Sequence, residues 1–214
     1  MTLSGITLFP QAMLPLYVFE PRYRDLFADA LASNRVVCLA GQNDALAEQT
    51  GQYEPPFDVA AIGLIRASQL NDDGTSNVVV QGLSRVRIVE IVQEDPYRIA
   101  RIEPLETFAL GAEAEIEALR QEMLSRLRNL RHYKFDIPDD LLQFFESIDD
   151  PDGVADLGIY TFCVDAREKQ TLLETLDTGE RLRRFNAFLR RQNEKYALEA
   201  RLRGDLSDDD IEKN

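Results

Sequence analysis

Near residue 105 the spacing of the apolar residues changes, and that change limits the folds open to this 214-residue chain. Before it, short apolar runs alternate with turn clusters, the pattern of β-strands. After it, apolar residues recur at three- and four-residue steps, the pattern of helices buried on one face. A strand-rich half followed by a helical half predicts an α+β fold rather than alternating βαβ units.

Within the first half, residues 6–9 (ITLF) and 14–19 (LPLYVF) predict short strands interrupted by Pro10. Pro21 stands where a first helical residue can use its fixed φ and missing N–H. Behind it Tyr23, Leu26, Phe27, Ala30 and Leu31 mark one helix face, and Asn34 can end that helix. VVCLAG (36–41) predicts a buried strand, and the polar stretch 42–56 a surface loop. In FDVAAIGLIRAS (57–68), Gly63 suggests a bulge, a bend or close backbone approach. NDDG (71–74) predicts a hairpin turn into TSNVVVQGL, and RVRIVEIVQ and YRIARIEPL follow as strands parted by an EDP turn. Such short strands leave few free edges in a closed or nearly closed barrel.

In the second half, Ile116, Leu119, Met123, Leu127 and Leu130 form one stripe, and Pro138 can open a helix over PDDLLQFFE. DDPDG (149–153) reads as a breaker, and two helices follow in GVADLGIYTFCVDA and REKQTLLETL. Asp177 or Thr178 can cap a last helix, with Leu182, Phe185, Phe188 and Leu189 facing inward. These readings divide the chain into a barrel over 1–107, a helical subdomain over 108–204, and an acidic tail over 205–214 expected to be disordered.

Apolar residues make up 44% of the chain, enough for a packed core. The formal charge of −14 opposes nonspecific binding to nucleic acid or to anionic lipid. Cys38 and Cys163 both sit in apolar runs, as buried thiols in a reducing compartment would. No apolar stretch approaches the roughly 20 residues that span a bilayer, and no secretory signal is visible, so a cytoplasmic location is expected.

Reactive motifs are missing. No Gly-Lys pair supplies a P-loop, no G-x-G-x-x-G supplies a dinucleotide site, and GLSRV (82–86) has Val86 where a nucleophile elbow needs glycine. His132 is the single histidine, which excludes a two-histidine metal site, and it reads as a solvated residue near a helix end. Asp72, Asp73 and Asp208 to Asp210 read as turn and tail charges. The expectation is a protein that is not an enzyme and needs no cofactor or metal.

The segments TLFPQAMLPLYVFEPRYRDLFADAL, VAAIGLIRASQLNDDGTSNVVVQGLSRVRIVEIVQEDPYRIARIEPLE and KQTLLETLDTGERLRRF resemble the Lon protease N-terminal domain family. FEPRY, the strand glycine Gly63, the G-x-x-R element Gly82 to Arg85 and the Pro96-Tyr97 pair carry the likeness. The resemblance implies a PUA-like pseudo-barrel of six strands with one helix, then a helical subdomain. It also implies recognition of protein substrates, with ATP hydrolysis and peptide cleavage left to separate downstream modules. On this reading the chain is a stand-alone, non-catalytic binder of unfolded or exposed segments of client proteins, with a separate protease or a second copy of itself as the further partner to expect.

Glu20, Arg22 and Tyr23 are expected first to build the strand–helix junction, with Arg22 reaching carboxylates or strand carbonyls, and they stand with Arg85 as second-line candidates for direct ligand contact. Arg85 is expected to tie a barrel strand to the first helix. Apolar contacts to a client are expected from Phe9, Leu14, Tyr17, Phe57 and Tyr97. Two alternatives stand beside this one. Residues 181–203 carry eight basic side chains against two acidic ones, which would suit an RNA-binding module, although no aromatic platform is interleaved with them. A structural adaptor whose last helix pairs with another chain is the second.

Overall fold

The computed structural model describes residues 1–133 and 137–204. Among these residues six strands, β1 (Thr2–Leu3), β2 (Met13–Val18), β3 (Val36–Gly41), β4 (Val59–Leu70), β5 (Ser76–Gln93) and β6 (Ile99–Pro104), form one mixed sheet. Seven helices among the described residues accompany them: α1 (Pro21–Ala32), α2 (Asp44–Thr50), α3 (Glu113–Tyr133), α4 (Asp139–Glu146), α5 (Pro151–Phe162), α6 (Ala166–Glu174) and α7 (Thr178–Gly204). The fold is α+β with a helical C-terminal part. The predicted tail, 205–214, lies outside the described residues.

The chain divides into two compact units, 1–107 with 156–176, and 108–155 with the chain from 177 onward. Residues 156–176, which periodicity alone assigns to the helical subdomain, thus group with the strands. A buried ion pair accounts for this. Both Arg85 on β5 and Asp156 on α5 are only 1% exposed at the side chain. Arg85 Nη1 and Nη2 donate to the two Asp156 carboxylate oxygens at 2.7 and 2.6 Å, and Nε donates to the Leu173 carbonyl of α6 at 2.9 Å. This fork–fork geometry satisfies both charges where water cannot reach them. Arg85 therefore ties its strand to α5 and α6, not to the first helix.

β5 is the spine of the sheet. It pairs with β4 on one side; on the other, residues 76–81 pair with β2 and residues 86–93 with β6, all antiparallel. The two predicted strands 75–83 and 85–93 are this one continuous strand. β2 buries Leu14, Leu16 and Val18 and exposes Met13 and Tyr17, the alternation of a half-buried strand. Register slips at Ile62/Gly63 and Ile65/Ala67 bend the β4–β5 hairpin, as Gly63 led one to expect. Gly82 lies opposite Gly63, and the chain around Phe9 crosses directly over it.

Three local readings change. Residues 6–9 are not a strand; β1 lies earlier and runs parallel to β3. Leu8 and Phe9 are buried there through packing, which an apolar tetrad signals equally well. The polar stretch 42–56 contains α2, whose Asn43 side chain caps Leu46 N–H and whose C-cap Gly51 adopts φ +70°. α2 has no buried residue, so it leaves no apolar period in the sequence. DDPDG opens α5 rather than breaking the chain, because Asp150 accepts from the backbone of Asp152 and Gly153.

In the second unit α3 and α7 run side by side. Asn186 donates to the Leu119 carbonyl (2.9 Å) and Asn193 to that of Arg126 (3.1 Å), each across 67 residues of sequence. A constant offset means that the helices run in the same direction, and seven-residue spacing on both is that of a heptad seam. Met123, Leu127, Leu130, Leu182, Phe185 and Leu189 are all buried. Asp177 caps α7 by accepting from Gly179 N–H.

Candidate functional site

The face of the sheet formed by β3, β4, β5 and β6 is not fully covered. Ala40, Ala60 and Val86 form a buried cluster, and against it pack Cys38, Ile62, Ile88 and Ile102, which remain partly open. Above them lies an apolar groove of about 420 Å³, walled by Leu26 and Ala30 of α1, Val37 of β3, Ile91 of β5 and Ile99 of β6. Ile99 is 41% exposed. Half-buried aliphatic side chains around a concavity of this size can hold an apolar ligand group, at roughly 25 cal/mol per Å² removed from water.

Two β-bulges build this lining. Between Ile88 and Glu90, and again between Ile91 and Gln93, the β5–β6 register slips by one residue. Ile88 opposes Ile102 and Ile91 opposes Ala100, so residues three apart reach the same groove. Strict alternation would send them to opposite faces.

The mouth is framed by hydrogen bonds. The Tyr97 hydroxyl donates to Asp29 Oδ2 at 2.5 Å, joining the end of the β5–β6 turn to α1. That bond, followed by desolvation and the nearby Asp29 and Asp25 charges, raises the phenol above its usual range. Arg98 donates to Glu94 Oε2 (2.7 Å) and to the carbonyls of Tyr53 (2.7 Å) and Glu54 (2.5 Å). Cys38 on the floor has its thiol pushed up by burial, so little of it is thiolate near neutral pH. Cys163 is buried elsewhere in the same unit, and its thiol is pushed up to about 11, again chiefly by desolvation.

A second apolar surface lies on the outer face of β2. Tyr17 and Phe19 are 56% and 59% exposed, their rings stacked at 6.1 Å, with Met13 exposed on the same strand. The first basic residues of α7 are committed to carboxylates. Arg181 is fully buried against Asp152, Arg183 pairs with Glu115 (2.5 Å), and Arg184 pairs with Glu180 (2.8 Å).

The family model for the ATP-dependent protease La (LON) substrate-binding domain matches residues 1–191. The chain belongs to that family. Among curated relatives, Lon protease of Dictyoglomus thermophilum is 27% identical over 99% of this chain. Lon protease 2 of Myxococcus xanthus is 30% identical over 96%. The match takes up 26% and 25% of those proteins, so the chain spans about a quarter of the length of these Lon proteases. The N-terminal domain of a Mycobacterium avium complex Lon protease has the same fold, with a TM-score of 0.67, 18% identity, and 91% of this chain and 96% of that one covered. The Lon N-terminal domain protein of Xanthomonas campestris superimposes at a TM-score of 0.58, with 18% identity over 87% of this chain and 95% of that one.

Within this Lon substrate-binding domain the nine residues singled out from sequence scatter. Phe9 and Leu14 are buried in the core, and Arg85 is locked to Asp156. Tyr23 is buried, its hydroxyl donating to the Thr2 carbonyl at 3.1 Å. Arg22 binds Glu20 (2.7 Å) and Glu54 (2.8 Å) and lies over the Tyr23 ring, so FEPRY is a junction clamp. Phe57 walls a separate cavity beside α6. Tyr17 is on the outer β2 face, and Tyr97 alone of the nine lines the groove. Sequence reasoning missed Cys38, Ile62, Ile88, Ile91, Ile99 and Ile102. The strands that hold them were legible; the bulges that bring them together were not. Among the described residues no helix is long and apolar enough to cross a membrane.

Proposed function

We propose that this domain is a non-catalytic protein-binding module that holds exposed apolar segments of unfolded polypeptides in the groove between α1 and β6. The open floor of Cys38, Ile62, Ile88 and Ile102 carries this reading. Those side chains are apolar yet only partly buried, which leaves surface that an apolar segment can cover. A folded partner would have to present a protrusion, whereas an unfolded chain supplies apolar side chains anywhere along its length. The family places the domain among parts of Lon proteases named for substrate binding, which supports the same assignment. Delivery of clients to a protease, in the same chain or a separate one, and a cytoplasmic setting go with it.

The test is a titration of labelled, permanently unfolded protein, followed by anisotropy. The native domain is expected to give a saturable rise in the micromolar range, and Ile99→Asp at least tenfold weaker binding. Ile99 is partly exposed, so its substitution should leave the urea midpoint nearly unchanged. Equal binding by Ile99→Asp would remove the groove from the account, and no binding by the native domain would remove the function.

RNA binding is the weaker reading, because Arg181, Arg183 and Arg184 already hold carboxylates. An arginine committed to an internal carboxylate must lose that partner before it can neutralise a phosphate.

A further inference from the structure

Charge around the groove mouth is uneven. Asp29 and Arg98 are the carboxylate and the guanidinium that line it. Arg98 is spent on Glu94, the Thr2 hydroxyl and two backbone carbonyls. The Met1 amino group is taken up by the Cys38 carbonyl at 2.9 Å. Asp29 has only the Tyr97 hydroxyl, and neither it nor Asp25, one turn earlier on α1, forms an ion pair among the described residues. The helix's own cations are engaged elsewhere: Arg22 holds Glu20 and Glu54, and the Arg24 guanidinium lies against Gly74 in the β4–β5 turn. An apolar groove thus opens beside two carboxylates that hold no ion pair among the described residues, on a chain of net charge −14.

The sheet edge adds a second element. β6 has β5 as its ladder partner on one side, and among the described residues no strand pairs with its other side. β1 likewise pairs only with β3, and both β1 and β6 contribute to the groove walls. An unpaired strand edge carries a row of N–H and C=O groups that an extended peptide can complete whatever its sequence.

Building on the function proposed above, we propose the class of segment that this site selects: an extended strand with apolar side chains flanked by lysine or arginine. Its backbone adds to the free edge of β6, alternate apolar side chains enter the groove, and a flanking cation meets Asp29 and Asp25. Acidic segments are rejected by the same carboxylates, which spares well-solvated acidic tails while retaining basic-apolar stretches.

Three labelled nine-residue peptides of alternating valine and threonine, with Lys, Gln or Glu at both ends, test this on the intact chain. At about 50 mM salt the Lys peptide is expected to bind several-fold tighter than the Glu peptide, with Gln between, and about 500 mM salt should collapse the series. Asp25→Asn with Asp29→Asn should equalise the three without changing the melting temperature, since an asparagine oxygen can still accept from Tyr97. Methylating the peptide nitrogens along one edge should abolish binding. If the three peptides bind equally at low salt, or the methylated one binds as well as its parent, this inference falls while the groove's function stands. If none binds and unfolded protein does not bind either, both fall together.

Discussion

Arg85→Ala is expected to destabilise the strand-bearing unit by about 3–5 kcal/mol, the range seen when one partner of a buried ion pair is removed. Asp156 would be left charged and 1% exposed, with two oxygens that no water can reach. The Leu173 carbonyl would lose its donor as well. Against a domain stability of roughly 5–15 kcal/mol, that loss takes the unit close to unfolding at ambient temperature. Urea denaturation measures it directly. Asp156→Ala should cost a similar amount, because it strands the guanidinium instead. The double variant Arg85→Met with Asp156→Leu should recover most of the loss, since both desolvation penalties vanish together. Single variants as stable as the native chain would show that the pair contributes nothing to holding α5 and α6 on the sheet.

Gly82→Ala should be nearly as damaging for a different reason. A Cβ at this position would stand 1.9 Å from the Phe9 carbonyl oxygen and 2.8 Å from its carbon. The obstacle is backbone, so no rotamer change relieves it. The crossing is also pinned on both sides, by Gln11 N–H to the Gly82 carbonyl (2.8 Å) and Gly82 N–H to the Ala12 carbonyl (2.9 Å). The chain must part from the sheet or shed those bonds, at a cost of about 3 kcal/mol, the upper end of overpacking penalties. Gly51→Ala is the control. It sits at φ +70° with open space around it and should cost only about 1 kcal/mol of left-handed strain. A shift in urea midpoint no larger for Gly82→Ala than for Gly51→Ala would contradict the close crossing.

The fold was largely readable because its signals are local. Pro21 does open α1, the apolar stripe from Ile116 to Leu130 does lie along α3, and Gly63 does mark a bend. What sequence could not supply depends on partners far along the chain. Arg85 finds Asp156 across 71 residues, which no period encodes, and this pairing moves 156–176 into the strand-bearing unit. The groove was hidden by its bulges. In RVRIVEIVQ, alternation separates Ile88 from Ile91, and the extra residue between them reunites them. Aromatic residues drew attention as contact candidates, yet Phe9 and Tyr23 are core, and the groove is lined mainly by isoleucines. α2 shows the reverse case, a helix with no buried face and hence no apolar signature.

Alkylation of Cys38 in the native domain, with and without saturating unfolded client, tests groove occupancy most directly. Burial raises the Cys38 thiol, so the reaction should be slow near pH 7 and should quicken about tenfold per pH unit towards pH 9, as thiolate accumulates. At pH 9 the client is expected to slow Cys38 at least fivefold by covering the floor, while Cys163, in the core and held near a pKa of about 11, keeps its low rate. An unchanged Cys38 rate under conditions where anisotropy shows the client fully bound would place the binding surface elsewhere on the domain.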